Sequence, residues 1–198
     1  MLEPLAAVIG GYLLGSIPFG LVLVRMAGLG DIRAIGSGNI GATNVLRTGR
    51  KGLALATLVL DGGKGAIAVL VARFVLGEDV VPLAGFAAVL GHNFPVWLNF
   101  KGGKGVATTI GTLTAASWPV GIACCVTWLA VAGLFRISSL SALVALALSP
   151  VFAYVFADWT YAAMATGMAV LGFIRHHQNI RRLLSGQEPR IGAKKNGG

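Results

Sequence analysis

The chain has 198 residues, 56% of them hydrophobic and 12% charged, with a mean hydropathy of +0.79. An ordinary soluble domain is about 25% charged, so this composition excludes a fold whose surface faces water. The net charge of +9 and pI near 10.3 would suggest nucleic acid on a soluble domain, but the basic residues gather in islands between apolar runs, which excludes a nucleic-acid-binding face and reads as membrane topology.

In chain order, the apolar runs predict seven membrane helices, at Pro4 to Val24, Leu53 to Leu76, Val80 to Leu98, Val106 to Ser117, Val120 to Phe135, Ser138 to Phe156 and Trp159 to Ile174. The first basic residue, Arg25, follows the first run, so the start lacks the charged region of a secretory signal peptide and is expected to remain as a membrane helix. One kinked helix from Val106 to Phe135 would leave six spans and put the basic tail outside. Trp118-Pro119 supplies a break instead, because proline lacks a donor and biases its predecessor away from helix, while tryptophan favours the membrane interface.

The basic islands are Arg25 to Lys51, Lys101 with Lys104, Arg136, and Arg175 to Lys195, leaving Lys64 and Arg73 within apolar runs. Glu3, Glu78, Asp79 and Asp158 fall at the alternate turns. The positive-inside rule then gives an N-terminus outside and a C-terminus in the cytoplasm. The fold class expected is all-α, a polytopic membrane protein of about seven transmembrane helices, some short, forming one membrane-embedded domain over residues 1–198. Cys124 and Cys125 are adjacent, with neither metal-site spacing nor usable disulfide geometry, and read as packing residues.

The fourth run is short: 12 residues at about 1.5 Å each reach roughly 18 Å, against a hydrocarbon core of about 30 Å. Its start is therefore recessed, and non-helical backbone at that depth must be buried in protein or line a cavity. This places a pocket near Lys101 to Thr109, facing the cytoplasm.

The islands around that pocket suit phosphate. Gly36 to Asn44 alternates glycine with small hydrogen-bonding residues and precedes Arg47, Arg50 and Lys51. Glycine lets successive N–H groups turn toward one anion, and the cations add charge; the bland alternative is a flexible connector. Asn99 to Thr109 opens the short run, whose helix N-terminus would present unpaired N–H groups beside Lys104. No G-x-x-x-x-G-K-[ST] occurs, so a nucleoside triphosphatase is not supported. Asp61 and Lys64, three apart within an apolar run, are expected to pair as a structural ion pair bordering the pocket. In Arg175 to Leu184, positions 176 and 179 share a helical face, with Ile180, Leu183 and Leu184 available to dock on the membrane. Ser138, Ser139 and Ser141 could add hydroxyls. No acidic or cysteine partners stand at metal spacing, so zinc is not expected. No histidine begins an H-x-x-x-x-D motif, which disfavours thioester-dependent acyltransferases of that type.

With these residues in view, the chain resembles the bacterial acyl-phosphate:glycerol-3-phosphate acyltransferases of phospholipid synthesis. The resemblance spans nearly the whole length and rests on Gly15-Ser16-Ile17-Pro18-Phe19-Gly20, Asp31-Ile32-Arg33 leading into Gly36 to Asn44, Leu60-Asp61 with Lys64-Gly65, Leu90-Gly91-His92 with Pro95, Phe100 to Thr108, and Arg175-His176 with Asn179-Ile180 and Arg182 to Leu184. It implies acyl transfer from acyl phosphate to the 1-hydroxyl of glycerol 3-phosphate in the bacterial inner membrane, giving 1-acylglycerol 3-phosphate and inorganic phosphate, with no metal and no coenzyme A. By the resemblance, Ser37, Asn39, Thr43, Asn44, Arg47 and Lys104 would hold phosphates, the glycines Gly38, Gly41, Gly102, Gly103 and Gly105 would shape the binding loops, and His176, Asn179 and Ser139 would complete the acceptor site. Lys104, Arg47, His176 and Asn179 are the expected catalytic set. The proton acceptor is either His176 or an oxygen of the acyl phosphate, the second being preferred because no carboxylate is evident to orient an imidazole.

The alternative from another class is a transporter of small anions or phosphate esters, since short helices with basic N-termini suit that task too. A transporter needs polar groups reachable from both sides, whereas the outward turns here offer only Glu3, Glu78, Asp79 and Asp158. A common pocket also requires the distant islands to share one membrane face. In a background lacking Cys124 and Cys125, cysteines placed by Ser37→Cys and Gln178→Cys should react with a membrane-impermeant thiol reagent from the same side of oriented vesicles; labelling from opposite sides would break the pocket.

Overall fold

The computed structural model describes residues 2–192, and every regular element among them is helical. These are α1 (Leu2–Gly15), α2 (Phe19–Met26), α3 (Ala42–Val45), α4 (Lys51–Val71), α5 (Val81–Asn93), α6 (Val106–Ala116), α7 (Trp118–Phe135), α8 (Ser138–Phe156), α9 (Trp159–Arg175) and α10 (His177–Leu184). Each of the seven apolar runs is helical. Five segments, Leu2–Met26, Lys51–Leu76, Glu78–Leu98, Trp118–Phe135 and Ser138–Phe156, are long and apolar enough to cross a membrane. Helix α9, with 17 residues, reaches about 26 Å. Lys194 and Lys195 of the basic tail lie outside the described residues.

Packing runs round the bundle from α1 to α5, α5 to α9, α9 to α8, α8 to α7, α7 to α6 and α6 to α4, which returns to α1. In a bilayer, lipid competes equally for apolar side chains, so close backbone approach drives helix association. The sequence supplies it with small residues: a Cβ added at Gly11 or Gly15 of α1 would strike the backbone of Ala84 or Ala88 of α5.

Three expected boundaries shift, each for a local reason. The first run is not one helix: it breaks at Ser16 to Pro18, where proline offers no N–H, and the exposed end is stitched by Ser16 Oγ donating to Tyr12 O at 2.7 Å. The third run stops helically at Asn93, because Pro95 follows and Phe94 leaves helical geometry at φ −135°. The α6–α7 break lies at Ser117, extended at φ −150°, with Trp118 already helical. The second run is continuous to Val71 through its glycines and finishes in a π-helical turn, Ala72–Leu76.

Short or broken helices leave carbonyls without partners, and particular side chains meet them. Pro150 inside α8 deprives Leu146 O of its donor, and Ser149 Oγ donates to it at 2.8 Å. The end of α6 is met from the π-helical turn after α4: Arg73 donates to Ala115 O at 2.6 Å and Ala116 O at 2.9 Å, while Glu78 accepts from its Nε at 2.7 Å and Tyr161 hydrogen-bonds to Glu78. Arg73, a stray charge in an apolar run when the sequence is read alone, is thus the C-terminal cap of a helix only 11 residues long. An Arg73→Leu variant should lower the thermal midpoint of the purified protein in detergent by several degrees, since each orphaned buried carbonyl costs about 1–3 kcal/mol; an unchanged midpoint would mean the cap is dispensable.

Candidate active site

Four connections converge at one end of the bundle: the long loop between α2 and α4, the loop between α5 and α6, the α7–α8 turn, and the α9–α10 junction. Hydrogen bonds across them fix their relation. Arg136 at the α7–α8 turn accepts at its carbonyl from Ile191 N and donates from Nη2 to Ile191 O, tying the segment after α10 to this face.

The α2–α4 loop is organised by Asn44. Its buried amide nitrogen donates to Ile32 O, Ile35 O and Asn39 O at 2.8 to 3.0 Å, and its Oδ1 accepts from Ser37 N at 3.1 Å and from Arg47 at 3.4 Å. Asn44, expected as a phosphate donor, is therefore fully engaged within the loop and shapes it. Gly36 sits at φ +59°, with its missing Cβ pointing at Arg47 and Asn44, so glycine lets the loop close over that pair. Ser37, Gly38, Thr43 and Arg47 are exposed on the loop, while Asn39 Oδ1 accepts from Gly41 N at 3.3 Å.

The α5–α6 loop folds back on the end of α5. Gly102 N donates to Asn93 O at 3.2 Å and Gly103 N to His92 O at 3.0 Å. From the other side, Arg175 donates to Gly103 O at 3.0 Å and Gly102 O at 2.7 Å and stacks 5.3 Å from the Phe94 ring centre. Gly105, left-handed at φ +82°, then starts α6. Lys104 is carried between these anchored glycines, beside the free N–H groups of the helix N-terminus.

Lys104 Nζ donates to Asn179 Oδ1 at 2.5 Å, and Asn179 Nδ2 donates to Glu188 Oε1 at 2.5 Å. The same carboxylate accepts from Ser139 Oγ at 2.7 Å and from Arg182 Nε at 2.6 Å. Burial works against the Glu188 charge, but the hydrogen bonds from Ser139, Asn179 and Arg182 outweigh it and hold the carboxyl below its ordinary range. Burial pushes Lys104 down to about 8, with Glu188 opposing that shift and Arg182, Arg47 and Arg175 adding to it. His176 is buried and hydrogen-bonds through Nδ1 to Gly172 O at 2.7 Å. A carbonyl only accepts, so Nδ1 carries the proton and Nε2 keeps its lone pair. Burial brings this imidazole down to about 4, against the pull of the Gly172 bond, so it is neutral at physiological pH.

Of the expected residues, the structure joins Lys104, Asn179 and Ser139 in one hydrogen-bonded set, with His176 one helical turn from Asn179 and Arg47 near enough to act on the Lys104 charge. Ser141 is not in it; its hydroxyl donates to Ile137 O at 2.9 Å. Sequence reading missed three members. Arg175 and Arg182 enter the sequence reading as topological charges and as part of the family resemblance but with no role in the site, and Glu188 enters with none, although it is the sole acidic residue in the basic C-terminal island. The arrangement gathers four cations, Lys104, Arg47, Arg175 and Arg182, with N–H and hydroxyl donors and the Glu188 carboxylate, at one end of the bundle, and its chemistry suits an anion.

Comparison with known proteins places the chain in a family. The sequence model of the family described as glycerol-3-phosphate acyltransferase matches residues 5–186. The chain belongs to the glycerol-3-phosphate acyltransferase family. A glycerol-3-phosphate acyltransferase of Paramagnetospirillum magneticum is 75% identical over 195 residues, covering 98% of this chain and 97% of that one. One from Rhodospirillum rubrum is 68% identical, covering 94% and 90%. Crystal structures of PlsY (YgiH), an integral membrane glycerol 3-phosphate acyltransferase, superpose closely. Its glycerol 3-phosphate form gives a TM-score of 0.90 at 41% identity, covering 96% of both chains. Its lysophosphatidic acid form gives 0.88 at 40%, covering 96% of this chain and 95% of that one. The membrane architecture of the acyltransferase family is therefore this chain's architecture.

If the Lys104 ammonium must be charged to hold an anion, kcat/KM should fall as pH rises through about 8, the free-enzyme value being the one that kcat/KM reports. Lys104→Arg, charged at every accessible pH, should abolish that limb. Lys104→Ala should lower kcat/KM by about 10²–10³-fold, the scale for losing one electrostatic group at a developing anion. An unchanged alkaline limb in Lys104→Arg would remove this lysine from the binding charge.

Proposed function

We propose that the chain transfers a fatty acyl group from acyl phosphate to the 1-hydroxyl of glycerol 3-phosphate, releasing inorganic phosphate and 1-acylglycerol 3-phosphate. The site faces the cytoplasm of the bacterial inner membrane, where the C-terminal island and the three other basic islands lie. The observation that carries this reading is the cluster of Lys104, Arg47, Arg175 and Arg182 around one carboxylate at one end of the bundle. Four cations against one carboxylate leave a positive excess suited to two phosphorylated molecules bound together. The solved relatives were captured in a glycerol 3-phosphate form and a lysophosphatidic acid form, an acceptor and a product of such a transfer.

The acyl phosphate is a mixed anhydride with a good leaving group. The enzyme therefore needs to bring the hydroxyl to its carbonyl carbon and stabilise the phosphate that departs. In this reading Ser37, Asn39, Thr43, Arg47 and Lys104, with the loop glycines Gly38, Gly41, Gly102, Gly103 and Gly105, receive phosphate. Asn44 holds that loop in shape, and His176, Asn179 and Ser139 orient the acceptor. The new C–O bond forms at the carbonyl carbon, the bond from that carbon to the phosphate oxygen breaks, and the hydroxyl proton ends on the phosphate. His176 supports this assignment of the base. An imidazole titrating near 4 is a weak proton acceptor, while its free Nε2 can still accept a hydrogen bond from the acceptor hydroxyl and aim it.

Purified protein given palmitoyl phosphate and glycerol 3-phosphate should release phosphate and form lysophosphatidate in equal amounts, and palmitoyl coenzyme A should give no product. Turnover with the thioester but not the acyl phosphate would overturn the donor assignment. His176→Gln should raise the KM for glycerol 3-phosphate and leave the shape of the kcat profile between pH 6 and pH 8 unaltered. A rising limb in that window, present in the parent and absent from the variant, would make His176 the base.

A further inference from the structure

We propose that Asp61, Lys64 and His92 are positioning residues, a buried strut that fixes the loop carrying Lys104. The proposal rests on the functional reading above and extends it to residues that reach neither substrate nor Lys104. Lys64 Nζ donates to Ile17 O at 2.7 Å, at the break between α1 and α2, and lies 3.0 Å from Asp61 Oδ1. Asp61 Oδ1 lies 3.7 Å from His92 Nδ1. The opposite edge of that ring supports the loop: a Cβ at Gly103 would fall on His92 Nε2, while Gly103 N donates to His92 O at 3.0 Å. On the other side of Lys104, a Cβ at Gly105 would stand 2.6 Å from Asn93 Oδ1. Lys104 is thus flanked by two glycines that rest on the last two residues of α5, and Arg175 holds the same loop from its far face.

Stability alone does not account for the charged pair. Removing two charges from water is costly, the attraction repays it only with complete hydrogen bonding, and apolar replacements of such pairs are often neutral or stabilising. The bonding here is incomplete, since neither the Asp61–Lys64 contact nor the Asp61–His92 contact is aligned as a hydrogen bond and Asp61 Oδ1 and His92 Nδ1 have no other partner among the described residues. What the pair does, and Leu with Met would not, is present a carboxylate to Nδ1. That sets the ring angle and so the height of Nε2 beneath Gly103. Asp61 and Lys64 are each no more than 3% exposed at the side chain, so the influence passes through His92.

The test is the apolar double variant Asp61→Leu/Lys64→Met beside His92→Gln and His92→Leu, each measured for thermal midpoint, kcat/KM against pH, and the rate at which an amine-reactive label modifies Lys104. The double variant, which also leaves Ile17 O without its donor, should stay folded with a midpoint several degrees lower, lose at least tenfold in kcat/KM when assayed well below that midpoint, label several-fold faster at Lys104, and show its alkaline limb moved upward as the loosened lysine becomes hydrated. His92→Gln, which keeps a polar edge, should retain most of the activity that His92→Leu loses. Parent-like kcat/KM, limb and labelling in the folded double variant would overturn the proposal. So would activity lost only in proportion to a collapsed midpoint, which marks a purely structural pair. A parent protein inactive with acyl phosphate would defeat the functional reading alone, because the Lys104 labelling rate still decides for or against the strut.

Discussion

A backbone carbonyl in hydrocarbon has no water to turn to, so every place where a membrane helix breaks or stops early requires a donor brought from elsewhere. The structure of this chain depends on that constraint being met at four places. Lys64 serves Ile17 O at the α1–α2 break, Arg73 serves Ala115 O and Ala116 O at the end of α6, Ser149 serves Leu146 O above Pro150, and Arg175 serves Gly102 O and Gly103 O before α6 begins. Three of the four donors are cations in or beside apolar segments. Their charges are tolerated because each hydrogen-bonds to carbonyls with partial negative charge, and two also meet a carboxylate. The irregular backbone around Gly102 to Gly105, held by Arg175 from one side and by the end of α5 from the other, is the part that carries Lys104.

The electrostatics of the site follow from the same placement. Arg175 is held by loop carbonyls rather than by a carboxylate, and Arg47 meets only the amide oxygen of Asn44. Their positive charge is therefore not cancelled locally, and it adds to burial, the larger cause, in loosening the proton of Lys104. Glu188 supplies the only opposing charge in the set, and it does so through Asn179: by accepting from Nδ2 it turns Oδ1 toward Lys104. An amide so fixed aims the lysine without neutralising it.

The helices were legible in the sequence because long apolar runs between charged islands have few other readings, and the Asp61–Lys64 pairing was legible because both lie on one helix, three apart. Less visible were features whose partners are backbone atoms far along the chain. Nothing near Arg73 in sequence indicates carbonyls 42 and 43 positions away. Pro18 marked a break, yet the apolar composition on both sides hid it within a run of otherwise continuous hydropathy. Glu188 was hidden differently: in a polar, basic tail a lone glutamate looks like a solvated residue, and only the return of the chain onto Ser139 and Asn179 gives it a buried partner set. Asn44 shows the converse, since an amide in a glycine-rich loop invites assignment to a ligand, but here five hydrogen bonds to its own loop use both of its polar atoms.

The state of His176 follows from where the chain turns, not from any neighbouring acid. Gly172 O, near the end of α9, accepts from the His176 backbone N–H at 3.0 Å, and the imidazole adds a second bond to it through Nδ1 at 2.7 Å. That single bond fixes the tautomer, buries the ring against the helix end and leaves Nε2 as an acceptor. The turn at the end of α9 thus produces a neutral hydrogen-bond acceptor within reach of the Lys104 and Arg175 charges. A cationic imidazole there would add to the repulsion already felt by Lys104. Charge and neutral acceptor capacity are thus kept on separate side chains, so under the proposed function the cations would hold the dianionic substrate while His176 leaves its hydroxyl free to be turned toward the acyl carbon.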